Sequence, residues 1–146
     1  MAMPLVAGFW LMMTFTLSGC CFSREVTFKP DVNFNAGPDG APSALTVDVV
    51  WVTDDLKKVI ETQDWFLSVE RGRAASRVKS YQLVPDQAQQ PHDIGDAPAD
   101  TGLTIIANYP RKEGQPANYH HWDKDHLPCK ITVVLKRDHA EFAAEN

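Results

Sequence analysis

The stretch ALTVDVVWVT, residues 44–53, decides the fold. Leu45, Val47, Val49 and Trp51 fall on one side of it, and Thr46, Asp48, Val50 and Val52 on the other. That period of two belongs to a strand, and its β-branched and aromatic residues suit a pleated surface. Two later runs repeat the pattern. GLTIIANYP, residues 102–110, sets Leu103, Ile105, Ala107 and Tyr109 together, and KITVVLKR, residues 130–137, does the same with Ile131, Val133 and Leu135. VKSYQLVP, residues 78–85, predicts a shorter strand with Tyr81 and Leu83 on one face, stopped by Pro85. Upstream, EVTFKPDVNFN, residues 25–35, carries Val26 and Phe28 before Pro30 and Val32 and Phe34 after it. Proline lacks the donor of a central ladder position, so this reads as an edge strand.

Helical signals are fewer. Asp54 and Asp55 suit a helix N-cap and first turn, and Leu56, Val59 and Ile60 follow at i, i+3 and i+4, with the helix ending near residues 63–66. LSVERGRAAS, residues 67–76, fits neither period. AGPDGAPS, residues 36–43, packs two Gly and two Pro around an Asp and reads as a turn-rich loop, and residues 86–100 form a long polar loop. The tail AEFAAEN is expected to fray over residues 141–146. Separated strands with one clear helix point to a mainly β protein, a β-sandwich with a small helical insertion spanning residues 25–140.

The start of the chain has a different character. LVAGFWLMMTFTLSGCC, residues 5–21, is apolar over about 14 residues, short of the roughly 20 that a spanning helix needs. Leu17-Ser18-Gly19-Cys20 resembles a bacterial lipobox, in which small residues precede a cysteine whose thiol is acylated. The expectation is a lipoprotein signal peptide over residues 1–19, lipidation at Cys20, and a lipid-anchored tether over residues 20–24. Two or three acyl chains hold firmly where one is marginal. By resemblance to the sorting rule of enterobacterial lipoproteins, Cys21 in place of Asp favours the outer membrane. Cys21 and Cys129 could pair in an oxidising compartment, but Cys21 lies on the tether, and the simpler expectation is an unpaired, buried Cys129.

All 14 Lys and Arg and all 19 Asp and Glu lie beyond residue 19, with a net charge of -5 and the signs interspersed. Nucleic-acid binding needs clustered cations, so this balance speaks against it. NYHHWDKDHLPC, residues 118–129, gathers His120, His121, His126, Asp123, Asp125 and Cys129, groups that can bind borderline metals. The spacing is not that of a structural zinc site and Lys124 intrudes, so a solvated hairpin loop anchored by Trp122 is expected, with no metal or cofactor. Neither a Gly-x-Ser-x-Gly elbow nor a phosphate-cradling glycine loop is present, and the chain does not read as an enzyme.

Taken in order, the lipobox, Val32-Asn33-Phe34-Asn35, the loop Gly37-Pro38-Asp39-Gly40-Ala41-Pro42-Ser43, the strand Leu45 to Val52, Asp64-Trp65-Phe66, Tyr81-Gln82-Leu83-Val84-Pro85-Asp86 and Ile105-Ile106-Ala107-Asn108-Tyr109 resemble successive elements of the TssJ family. These are outer-membrane lipoproteins of type VI secretion. The resemblance implies a transthyretin-like β-sandwich under the outer membrane, facing the periplasm and gripping the periplasmic domain of the inner-membrane component TssM. It also implies that the partner-binding loop is the first inter-strand connection, here Asn35, Gly37, Pro38, Asp39, Gly40 and Pro42. The alternative function is a periplasm-facing lipoprotein that binds a metal or small ligand through the His-rich segment 118–129.

Overall fold

A computed structural model describes residues 21–84 and 90–145. The signal-peptide reading of residues 1–19, Cys20, and the Pro85-Asp86 pair lie outside these residues. Among the described residues, eight strands form two sheets: β1 (Glu25–Pro30), β2 (Leu45–Val52), β3 (Val78–Leu83), β4 (His92–Asp93), β5 (Gly102–Ala107), β6 (Asn118–Trp122), β7 (Lys130–Leu135) and β8 (Ala140–Glu145). One sheet has the order β4-β1-β7-β8 and the other β3-β2-β5-β6. All neighbours are antiparallel except β1 and β7, which run parallel from Glu25 opposite Lys130 to Pro30 opposite Leu135. The two helices, α1 (Asp54–Thr62) and α2 (Val69–Arg73), both lie between β2 and β3. This is the expected sandwich with a helical insertion.

Alternation directs the core as the sequence predicts. Leu45, Val47, Val49 and Trp51 of β2, with Leu103, Ile105 and Ala107 of β5, face Val26 and Phe28 of β1 and Ile131, Val133 and Leu135 of β7. Aromatic contacts close both open sides of the sandwich. Phe28, Tyr81 and His92 meet where β3 faces β4, and His120, Trp122 and Phe142 where β6 faces β8.

Four expectations change. The residues after Pro30 do not continue the strand: 32–35 turn, leaving Val32 exposed while Phe34 is buried. β1 is not an edge along its whole length, because β4 covers Glu25 and Val26 on that side. The tail does not fray; β8 pairs with β7 along its whole length, and Phe142 anchors it through the aromatic seam. Finally, Cys21 and Cys129 form a disulfide, with their Cα atoms 5.4 Å apart. Parallel pairing explains it: the starts of β1 and β7 lie side by side, and each cysteine precedes one of them.

Candidate functional site

The strands give the sandwich two poles. At one lie the starts of β1 and β7 with the disulfide. At the other, the connection from β1 to β2 meets the β7–β8 turn and the segment after β5. This second pole carries the loop nominated above.

Buried Asn35 fastens that loop at its base. Its Nδ2 donates to Ala44 O (2.9 Å) and Ser43 Oγ (3.0 Å), and Ser43 Oγ donates back to Asn35 O (2.8 Å). Its backbone N–H reaches Lys136 O at 3.1 Å, tying the loop to the β7–β8 turn. Asn35 takes φ 47°, a left-handed conformation that Asn adopts more readily than most residues. Within the loop Gly40 N donates to Gly37 O (2.9 Å), and Gly40 at φ 76° makes a turn that a side chain would strain. Asp39 Oδ1 accepts from Ala41 N (3.2 Å). Thus Pro38, Asp39 and Gly40 stand exposed at the tip, Gly37 and Pro42 are half-buried flanks, and the Asn35 amide is spent inside the loop.

A groove of about 540 Å³ runs beside the loop, lined on its far side by Asn108, Pro110, Arg137 and Asp138. A second groove of about 450 Å³ adjoins it, with Asp31, Val32, Lys136 and His139. Exposed pairs surround them: Lys136 Nζ lies 3.1 Å from Asp31 Oδ2, and His139 Nδ1 lies 2.7 Å from Asp138 Oδ1. The hydrogen bond to Asp138 raises the His139 pKa, and the same bond lowers that of Asp138. Val32, Asp39, Arg137 and Asp138 together offer an apolar side chain and both charge signs on one rim. This is the equipment of a recognition surface. Arg137 and Asp138, which the sequence did not single out, lie beside the nominated loop because β7 turns back at that pole.

The histidines do not gather. His120 and His121 are neighbours on β6, so they point to opposite sides, as successive strand residues must. His120 packs on Trp122 and Phe142, whereas His121 contacts Thr104 Oγ1 (2.9 Å) and Asp123 Oδ1 (3.2 Å). Among the described residues no group of three His, Cys, Asp or Glu is placed to hold a metal ion. The first half of the expected hairpin loop is strand β6, and a 3₁₀ turn at Lys124–His126 follows it. Beside them Gly102 permits the packing, since a Cβ there would stand 2.7 Å from both His121 Cε1 and Trp122 O.

The helical insertion covers the outer face of β2 and β5. Thr53, one residue before the predicted cap, accepts from Leu56 N and starts α1. Ile60, Trp65 and Ala74 then pack on Val50, Val52 and Ile106. Asp48, 0% exposed, is the buried charge beneath it. Its carboxylate accepts from Trp65 Nε1 (2.9 Å), Ser80 Oγ (2.5 Å) and Arg71 Nε (2.7 Å), and the Asp48 bond raises the Arg71 pKa. Arg111 pairs with Asp64, and the guanidiniums of Arg71 and Arg111 both lie over the Phe66 ring.

No family model matches the sequence, and no curated protein matches it. Solved structures do match. A chain of a structure described as a type VI membrane complex superposes with a TM-score of 0.65 at 11% identity, covering 83% of this chain and 97% of that one. The type VI lipoprotein TssJ1 from Pseudomonas aeruginosa gives 0.60 at 12% identity, covering 85% and 98%. Serratia marcescens Lip, described as a membrane-bound component of the type VI secretion system, gives 0.56 at 14%, covering 82% and 96%. The two sheets and the helical insertion are therefore those of the type VI secretion lipoprotein fold, which this chain shares over nearly the whole length of those proteins.

Proposed function

We propose that this chain is a structural lipoprotein of a type VI secretion membrane complex, anchored at the outer membrane through Cys20 and binding the periplasmic domain of a TssM-like inner-membrane protein. The observation that carries the proposal is the shared fold, which extends over 96–98% of TssJ1 and Lip. Further support comes from a matching chain in a structure described as a TssM C-terminal domain, with a TM-score of 0.59 at 12% identity. Opposed poles suit the role, since the anchor side and the loop side then face different neighbours. A disulfide also fits an oxidising envelope compartment. Binding, not turnover, is the activity.

The loop 35–43 is the proposed contact, with Pro38 and Pro42 restricting it before binding and Asp39 presenting charge. Titrating the TssM-like periplasmic domain from the same genome by calorimetry tests this. Asp39→Lys should weaken binding at least tenfold, on the order of 1.4 kcal/mol. Substituting His120, His121 and His126 together should leave it intact. Unchanged affinity with Asp39→Lys, or loss with the histidine triple variant, would refute the assignment of the loop.

A further inference from the structure

We infer that the Cys21–Cys129 disulfide seats one pole of the sandwich directly on the lipid surface, with the Phe22 ring entering the interfacial layer. The inference rests on the reading of Cys20 as the acylated residue, and it replaces a flexible tether with a rigid one. Consecutive Cα atoms are about 3.8 Å apart, so an acylated Cys20 sits next to a residue whose Cα is 5.4 Å from that of Cys129. The Cα of the anchor residue is then within about 9 Å of that of Cys129, the residue before β7. A free tether of five residues, 20–24, would instead reach about 17 Å and let the body tilt at will.

Backbone bonds complete the attachment. Glu25 N donates to Cys129 O at 3.0 Å, Cys129 N donates to Glu145 O at 3.2 Å, and Ile94 N donates to Arg24 O at 2.9 Å. The crossbridge thus joins the tether to β1, β7, β8 and the segment after β4. Residues 22–24 lie between the disulfide and the first ladder residue, and of these 22 and 23 are exposed. Phe22 is fully exposed, a large aromatic ring that nothing among the described residues covers. Aromatic side chains favour the water–lipid interface, and this one stands two residues from the acylated position. Charge does not supply the seat. Lys130 and Glu145 oppose each other across β7 and β8, so the lysine there is matched by a carboxylate and offers no surplus positive charge to anionic headgroups. The exposed Phe22 ring beside the anchor assigns the apolar boundary of the bilayer to this pole, and the loop 35–43 projects from the other end of the strands, away from it.

The test uses the full-length protein extracted from membranes and reconstituted in phosphatidylethanolamine/phosphatidylglycerol vesicles carrying brominated acyl chains. Intact mass under non-reducing conditions reports acylation and the disulfide separately. In a Phe22→Trp variant, the emission added by the new Trp should fall at least twofold on brominated vesicles. Emission from Trp51, Trp65 and Trp122, all packed in the body, should stay within a tenth of its value. With Cys129→Ala added, the quenching should drop by half or more, because the ring is no longer held at the surface. An unquenched Trp at position 22 in a protein whose mass shows acyl chains and the disulfide overturns the seat and leaves the anchor reading standing. Quenching that Cys129→Ala does not change overturns the part assigned to the disulfide. A mass lacking acyl chains overturns the reading of Cys20.

Discussion

The two faces of β2 are both buried, yet by different chemistry. Toward β1 and β7 the contacts are apolar throughout, with Phe28, Val47, Ile105 and Val133 all 0% exposed. Toward the helical insertion, apolar packing is joined by Asp48, held by Trp65, Ser80 and Arg71. Hydrophobic burial is non-directional and suffices to press two sheets together. Two short helices and two 3₁₀ turns present only a short apolar stripe, through Leu56, Val59 and Ile60, and a buried carboxylate with three partners adds a fixed orientation. The inner face holds the fold, and the outer face holds an orientation.

That contrast can be tested from its strong side first. Phe28→Ala removes a ring that touches Tyr81 and His92 between the sheets, and should cost about 3–5 kcal/mol in denaturant unfolding. Hydrogen exchange should quicken in every strand alike, since the sandwich opens as one unit. Asp48→Ala should cost about 3 kcal/mol, because it leaves the Trp65 N–H and the Arg71 guanidinium without their acceptor. Here exchange should quicken in residues 54–77 well before the strands; if both regions lose protection together, the two layers are one cooperative unit and the contrast fails. The smallest effect comes from the seam. Burial, and then the neighbouring His121, lower the His120 pKa below its usual 6.5. The unfolded chain therefore takes up this proton first, so stability is full above about pH 6.5 and declines as the pH falls toward the depressed value. His120→Gln should flatten that part of a plot of unfolding midpoint against pH, an effect kept slight by the exposure of the ring.

The strands were legible because their period is local. Alternation in residues 44–53, 102–107 and 130–135 names the inward residues without knowledge of any partner. The same alternation left Asp48 on the second face with Thr46, Val50 and Val52, and its burial became visible only once residues 65–80 folded back over it. Residues 67–76 resisted reading because 3₁₀ turns and a five-residue helix have too few repeats to display a period. The crossbridge was misjudged for a related reason: strand neighbours were unknown, and only the parallel placement of β1 beside β7 brings positions 21 and 129 together. Around the candidate site, Gly and Pro content marked residues 36–43 as a loop, and only the resemblance to the TssJ family nominated it as a contact. Asn35 was picked out with it, and the hydrogen bonds of its amide to Ser43 and Ala44 became visible only in the folded loop. Arg137 and Asp138 carried no signal, being ordinary turn residues until the topology places them.

The parallel pairing of β1 with β7 also constrains how the molecule comes into being. Glu25 cannot find Lys130 until nearly all of the polypeptide has been made, so the first strand in the chain is among the last to be placed. Such long-range closure is slow compared with hairpin formation. Under the proposed acylation of Cys20, the segment around that residue stays open to processing enzymes while closure is pending. Maturation at the membrane can then precede the final locking of the body.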